Sequence, residues 1–372
     1  MPGPPAVRLV LKLLLLAPLA ALVALTNHAV DPGNLYRTGE EARIAAELRA
    51  GRAVETNFAL DQMALVRWRV EGAARPDVLV LGSSRSMTLP PEAFPGRRFF
   101  GACVTLASIE DDIAIEQLFE EHGLRPTTLV LGLDPWSLTS PLRNPGSPLE
   151  VELRRGLKRL GVHGASGLGG LPRLRDPRFR YLQLLAPAYF RLSLSTLITR
   201  WAGEDRARLL QPVDANVLHP DGSFEWNPRM LARTPAEIRP AVAQFAAGAP
   251  APLARSPEPR RLHLLESFLG TLQAEGTEVV LFLPPYHPLA YRRLVASGKA
   301  RGILESEAWA RRYGRSHGIA VVGSYDPDRA GASEADFVDH HHLTRGAALR
   351  IFSRGATPGP PGLDADGPGA PD

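Results

Sequence analysis

Hydrophobic positions along the chain fall into three patterns, and each predicts a different kind of element. The first is a continuous apolar run, "LLLLAPLAALVAL" at residues 13–25, preceded by Arg8 and Lys12. With residues 7–11 it approaches the roughly 20 apolar residues a bilayer crossing requires, which predicts an N-terminal signal anchor and transmembrane helix within residues 1–30. Positive charge ahead of the run favours a cytoplasmic N-terminus and an outward-facing main domain. Small residues near Ala21 to Ala24 would suit a signal peptidase. Thr26 to Val30 lacks a clean small-x-small end, so the anchor is expected to be retained.

The second pattern is apolar residues at helical spacing. In "EEARIAAELRAGRAVE" and "DQMALVRWRVEG" it is broken by Gly51 and Gly72, which predicts two membrane-proximal helices within residues 31–74. The third pattern is the short continuous run that ends in glycine or proline. "DVLVLG" (77–82), "TTLVLGLD" (127–134), "TEVVLFLPP" (277–285) and "GIAVVG" (318–323) read as buried strands. Amphipathic stretches, such as "SIEDDIAIEQLFEEHG" and "RRLHLLESFLGTLQAEG", stand between them. This alternation predicts an α/β fold, a three-layer sandwich around a central parallel sheet with ligands at the carboxyl ends of its strands.

The expected core occupies residues 75–136 and 260–354 and is interrupted by a Pro-, Gly- and Arg-rich, mostly helical insertion at 137–259. Within the insertion, "YLQLLAPAYFRLSLSTLITRWAG" is strongly apolar, but Pro187 and Arg191 favour a packed or membrane-resting helix over a second span. Residues 355–372, "GATPGPPGLDADGPGAPD", hold too few bulky apolar side chains to offset the entropy of ordering and are expected to be disordered.

Composition narrows the function classes. The 372 residues are 44% hydrophobic and 22% charged, which suits a globular chain with a substantial core. The net charge of +4 comes without any run of five or six basic residues, so a nucleic-acid groove is not expected. Cys103 is the single cysteine and excludes an intrachain disulfide. Without a neighbouring base in sequence, it reads as a small buried side chain.

Candidate chemistry concentrates at strand ends. "LGSSRSM" (81–87) supplies Ser84 and "DFVDHHHLT" (336–344) supplies Asp339 and His342. A serine becomes a nucleophile when an imidazole takes its proton, and the imidazole works best when a carboxylate sets its tautomer. Asp339 and His342 lie three residues apart, so one turn would place both side chains on the same side of the chain. The same cluster could present His340, His341 and His342 with Asp336 and Asp339 to a zinc ion. Consecutive residues rarely converge on one tetrahedral ion, so no metal is expected. "LPPYHP" (283–288) places Tyr286 and His287 at a cleft or in a structural turn, and Trp136 suits either a sugar platform or a core cap.

These two blocks resemble those of the SGNH (GDSL-like) hydrolase superfamily, in particular its membrane-anchored envelope branch. That branch includes the D-alanine transfer protein of teichoic-acid systems and alginate O-acetylation proteins. The resemblance covers residues 75–136 and 260–352. It maps the nucleophile onto Ser84 and the last block onto Asp339, His342 and Leu343. It implies a flavodoxin-like fold and a serine esterase or O-acyltransferase that needs no cofactor. The expected substrate is an envelope polysaccharide or acylated carrier, at the periplasmic face of the bacterial inner membrane and in company with a membrane-bound acyltransferase. The non-catalytic alternative is a glycan-binding or scaffold protein of an acyl-transfer or polysaccharide export complex. The superfamily's second and third blocks bring a glycine and an asparagine to the oxyanion hole. Here "FFGACVTLASIEDD" (99–112) has Gly101 near the first position, and Asp134 of "LGLDPW" stands where the asparagine is expected.

Overall fold

A computed structural model describes residues 5–31, 36, 39–56, 60–139, 147–162, 177–201 and 215–356. Its centre is a five-stranded, wholly parallel sheet in the order β3-β2-β4-β7-β8. The strands are β2 (Val78–Gly82), β3 (Phe99–Gly101), β4 (Thr128–Gly132), β7 (Glu278–Leu283) and β8 (Ala320–Gly323). Counted along the chain, these five lie in the order 2-1-3-4-5, that of a doubly wound sheet.

Alternation along each strand explains the layers. Leu79 and Leu81, Leu129 and Leu131, and Leu281 and Leu283 point to one face. There they meet Ile113 of α4 (Ile109–Glu121), Phe268 and Leu269 of α10 (Pro259–Ala274), and Ala310 of α12 (Arg301–His317). Val78, Val80, Val130 and Phe282 point to the other. They meet Val242 of α9 (Pro235–Ala247), Ala290 of α11 (Pro288–Ala296), and Ile351 and Phe352 of α13 (Arg345–Ala356). A strand buried on both faces must be apolar at every position, which is why these segments read as continuous runs. Each such side chain contributes about 1.5–3 kcal/mol on burial. The chain is therefore an α/β protein with helices on both sides of a parallel sheet.

Gly82 and Gly132 pair directly across β2 and β4. Gly82 has φ +121°, and a Cβ there would lie 2.6 Å from the Gly132 carbonyl oxygen. A Cβ on Gly132 would in turn collide with the Ser86 side chain. Both glycines are thus needed for the turn after β2 to fold back over the end of β4. The turn lies at the switch point of the strand order, where doubly wound sheets hold their ligands.

Residues 40–72 hold more than the two helices that periodicity predicts. Between α2 (Glu40–Arg49) and α3 (Gln62–Val70) lies β1 (Val54–Thr56). Gly51, with φ +78°, ends the helical stretch, and β1 pairs antiparallel with β5 (Asn216–Leu218), itself paired with β6 (Phe224–Glu225). Two strands of this small second sheet, β5 and β6, come from the insertion, and the β5–β6 turn touches the core, where the Gly101 N–H donates to the Asp221 carbonyl at 2.7 Å.

The N-terminal apolar run is helical, α1 (Pro5–Val30), with Pro18 inside it. The expected transmembrane helix is not found there: among the described residues no helix is long and apolar enough to cross a membrane. The described end of α1 carries Asn27, two residues past the run, and packs on two helices of the insertion, α7 (Pro177–Leu184) and α8 (Pro187–Trp201). Of residues 355–372, expected to be disordered, Gly355 and Ala356 instead end α13, and 357–372 lie outside the described residues.

Candidate active site

Ser84 sits two residues past β2, in the turn that Gly82 permits, and is 9% exposed. His342 and Asp339 come from a loop just before α13, pinched by a bridge between Phe337 and Leu343 and by the Val338 N–H donating to the His342 carbonyl at 3.0 Å. The fold brings the two sequence blocks together across 258 residues. Ser84 Oγ lies 2.9 Å from His342 Nε2, and His342 Nδ1 lies 2.7 Å from Asp339 Oδ2. An ionised carboxylate can only accept, so His342 carries its proton on Nδ1 and Nε2 is left to accept the Ser84 hydroxyl proton.

The three-residue spacing has a second consequence. Asp339 Oδ1 accepts from the N–H groups of both His341 and His342 at 2.9 Å, so one carboxylate fixes the turn and the ring together. Burial alone would raise its pKa. The hydrogen bond and charge of His342 outweigh that and hold Asp339 well below the usual carboxylate range. The Trp226 ring centre lies 4.8 Å from that of His342, and its indole N–H donates to the Leu343 carbonyl at 3.1 Å. Nothing in the local sequence marks Trp226, because its contact with His342 is long-range.

Arg85, next to Ser84, is fully buried and ties the site together. Its Nη1 donates to Asp134 Oδ1 at 2.8 Å, its Nη2 to the carbonyls of Pro284 and Pro285, and its Nε to the His341 carbonyl at 3.4 Å. Its guanidinium lies 4.1 Å from the Tyr286 ring centre. Three strand-end loops and the histidine loop are therefore pinned by one planar, multiply donating group. The sequence held one usable signal, an arginine within an otherwise small-residue turn after a buried strand.

The other predicted residues take different places. Asp134 is buried and accepts from Arg85. Burial raises its pKa, and the Arg85 charge only partly offsets this. Gly101 is near the site, but its N–H is already given to Asp221 and its carbonyl accepts from Arg69 at 2.7 Å. The Ser84 N–H, by contrast, donates to no protein group among the described residues. Tyr286 is buried beneath Arg85. His287, also fully buried, accepts from the Leu289 N–H at 3.1 Å and caps α11, so neither ring lines an open cleft. Trp136 is half-buried, 5.7 Å from the Arg85 guanidinium. Cys103 is held un-ionised, its pKa pushed well up by burial and by the charges of Asp112 and Asp134.

Donor atoms of Asp339, His340 and His341 come within 4.8 Å of one another, close enough to share a cation. Both Asp339 oxygens already accept hydrogen bonds from the loop, however, and His340 is stacked 4.0 Å from the Phe245 ring. Metal binding and the Ser84–His342–Asp339 chain would compete for one carboxylate. No family model matches this chain, and no curated protein matches it.

Proposed function

We propose that the protein is a serine ester hydrolase or O-acyltransferase of SGNH type. In this reading it is held at the outer face of a bacterial inner membrane and modifies an envelope polysaccharide or acylated carrier. The observation that carries the reading is the continuous hydrogen-bonded chain from Ser84 Oγ through His342 to Asp339. Its position at the switch point of a 2-1-3-4-5 sheet supports the flavodoxin-like SGNH fold.

The chemistry follows from the proton positions. Ser84 Oγ attacks the ester carbonyl while its proton passes to His342 Nε2. Asp339 stabilises the imidazolium without taking the proton. The oxyanion receives the Ser84 N–H. Collapse expels the alcohol, which leaves with the proton from Nε2, and Ser84 carries the acyl group. Water or a glycan hydroxyl then gives its proton to Nε2 and attacks the acyl carbonyl, the acyl–Oγ bond breaks, Ser84 Oγ takes the proton back from Nε2, and the acid or acylated glycan is released. Water as acceptor makes the protein an esterase, and a sugar hydroxyl makes it a transferase. No step calls for a cofactor. A membrane-bound acyltransferase is the proposed source of the acyl group, and nucleic acid has no role.

One observation favours a second reading, a non-catalytic glycan-binding or scaffold member. The Gly101 N–H is occupied and Asp134 accepts from Arg85, so neither supplies an oxyanion donor in this arrangement. Loss of one such donor typically costs roughly 10²- to 10³-fold in kcat. The test is to give the folded protein 4-nitrophenyl acetate with and without envelope oligosaccharides. The proposal expects nitrophenol release or acetylated glycan, both lost in Ser84→Ala. Neither product from folded wild-type protein, or equal rates in Ser84→Ala, favours the scaffold.

A further inference from the structure

In a water-soluble bundle apolar side chains face inward and polar ones outward. The assembly of α1, α7 and α8 has the opposite arrangement. Asn27 of α1 is fully buried and lies between the other two helices. Its Nδ2 donates to the carbonyls of Gln183 and Leu184 at 3.2 and 2.9 Å, at the exposed end of α7, and its Oδ1 accepts from Ser193 Oγ of α8 at 2.9 Å. Just beyond α1, buried Asp31 accepts from the Tyr189 hydroxyl at 2.7 Å. Among the described residues, the side chains buried in this bundle are Asn27, Val30, Asp31, Tyr189 and Ser193, and all but Val30 carry a polar group.

Its described exterior is apolar apart from His28 and Arg191. Leu22 and Leu25 on α1, Tyr181 and Leu182 on α7, Leu185 in the link, and Ile198 on α8 are each between 57% and 71% exposed. Large side chains this open, on three adjacent helices, exceed the scattered apolar residues of an ordinary surface. In hydrocarbon the same arrangement is stable: helices meet through small and polar residues, every buried polar group needs a partner, and leucines face outward.

We infer that the α1–α7–α8 bundle is immersed in the apolar layer of a lipid bilayer, with α7 and α8 forming a second, non-spanning membrane insertion beside the N-terminal helix. Lipid is chosen over a protein partner for two reasons. The exposed Leu22 and Leu25 belong to the continuous apolar run of the sequence, "LLLLAPLAALVAL". The approach to α7 is also basic, "PRLRDPRFR", with Arg173, Arg175, Arg178 and Arg180 against the lone Asp176, a charge pattern suited to anionic headgroups. The helices are short for a crossing: α8 has 15 residues, which at 1.5 Å per residue reaches only about three quarters of a roughly 30 Å hydrocarbon layer. The inference rests on the membrane placement in the proposed function and is independent of its chemistry.

The test uses the full chain, with Cys103→Ala, in vesicles of phosphatidylethanolamine and phosphatidylglycerol. Single Leu25→Cys, Leu182→Cys, Ile198→Cys and Glu305→Cys variants carry a bimane label. Quenching by doxyl-labelled lipid is compared with quenching by aqueous iodide. All four positions are exposed, so the substitutions leave the packing intact. Labels at 182 and 198 should be quenched by lipid as strongly as the label at 25 and several-fold more than the label at 305. Iodide quenching at 182 and 198, with lipid quenching kept at 25, overturns the inference and leaves the membrane placement standing. Protection of 182 and 198 from both quenchers means that protein covers them, which also overturns it. Iodide quenching at 25 as well removes the membrane placement itself.

Discussion

Removing the Arg85 guanidinium separates what this residue does for stability from what it does for geometry. Arg85 and Asp134 are a fully buried pair, 0% and 2% exposed at their side chains and 2.8 Å apart. Arg85→Met leaves Asp134 buried without a countercharge, and breaking such a pair costs about 3–5 kcal/mol, a large share of a typical stability of roughly 5–15 kcal/mol. The lost bonds to Pro284, Pro285 and His341 are not simply additive with that figure, because all four belong to one group. Adding Asp134→Leu removes the orphaned acid, so the double variant should regain most of the stability. It should not regain activity, because the tie from the nucleophile turn to the histidine loop is still missing. Arg85→Lys keeps the charge and loses the planar fork. It should lower kcat on 4-nitrophenyl acetate with KM little changed. Urea denaturation and steady-state kinetics on the four proteins form the assay. A loss below about 1 kcal/mol in Arg85→Met, within the range of an ordinary surface change, would refute the reasoning. So would full activity in the double variant.

Other outcomes follow from the same contacts. Arg261 makes a two-pronged pair with Glu110, at 2.7 and 2.8 Å with both side chains 2% exposed, so Arg261→Met should cost about 3–5 kcal/mol in urea denaturation. Burial lowers the pKa of His287, His340 and His341, so the native state resists protons that the unfolded chain accepts. Stability should therefore be complete above the unfolded histidine value of about 6.5 and decline as pH falls below it. His341→Asn should flatten that slope, and a urea midpoint unchanged between pH 7 and pH 5 would contradict this. Chelation by EDTA should leave ester hydrolysis unchanged, since Asp339 is committed to His342. A loss restored by zinc would give that carboxylate to a metal.

The parallel sheet was legible because strands buried on both faces are apolar at every position, a pattern that survives without knowledge of neighbours. The pairing of Asp339 with His342 was legible for a similar reason, since one turn sets it. Non-local contacts were hidden. β3 is three residues long and β1 finds its partner more than 150 residues away, so neither has a periodicity to detect. Gly101 looked available for an oxyanion, yet its amide is claimed by Asp221, on a distant turn of the insertion. Tyr286 and His287 follow a strand as cleft residues would, yet one supports Arg85 and the other caps a helix. The N-terminal run read as a span on its own composition, whereas the side-chain contacts of Asn27, just past it, with α7 and α8 are non-local.

The central claim is that His342 activates Ser84, and its most direct test is covalent. The full-length protein is treated with a fluorophosphonate, the modified residue is located by mass spectrometry, and His342→Ala and Ser84→Ala are treated in parallel. Modification confined to Ser84, absent in Ser84→Ala and strongly slowed in His342→Ala, is the predicted result. A folded protein that stays unmodified, or that reacts equally well without His342, would contradict the claim.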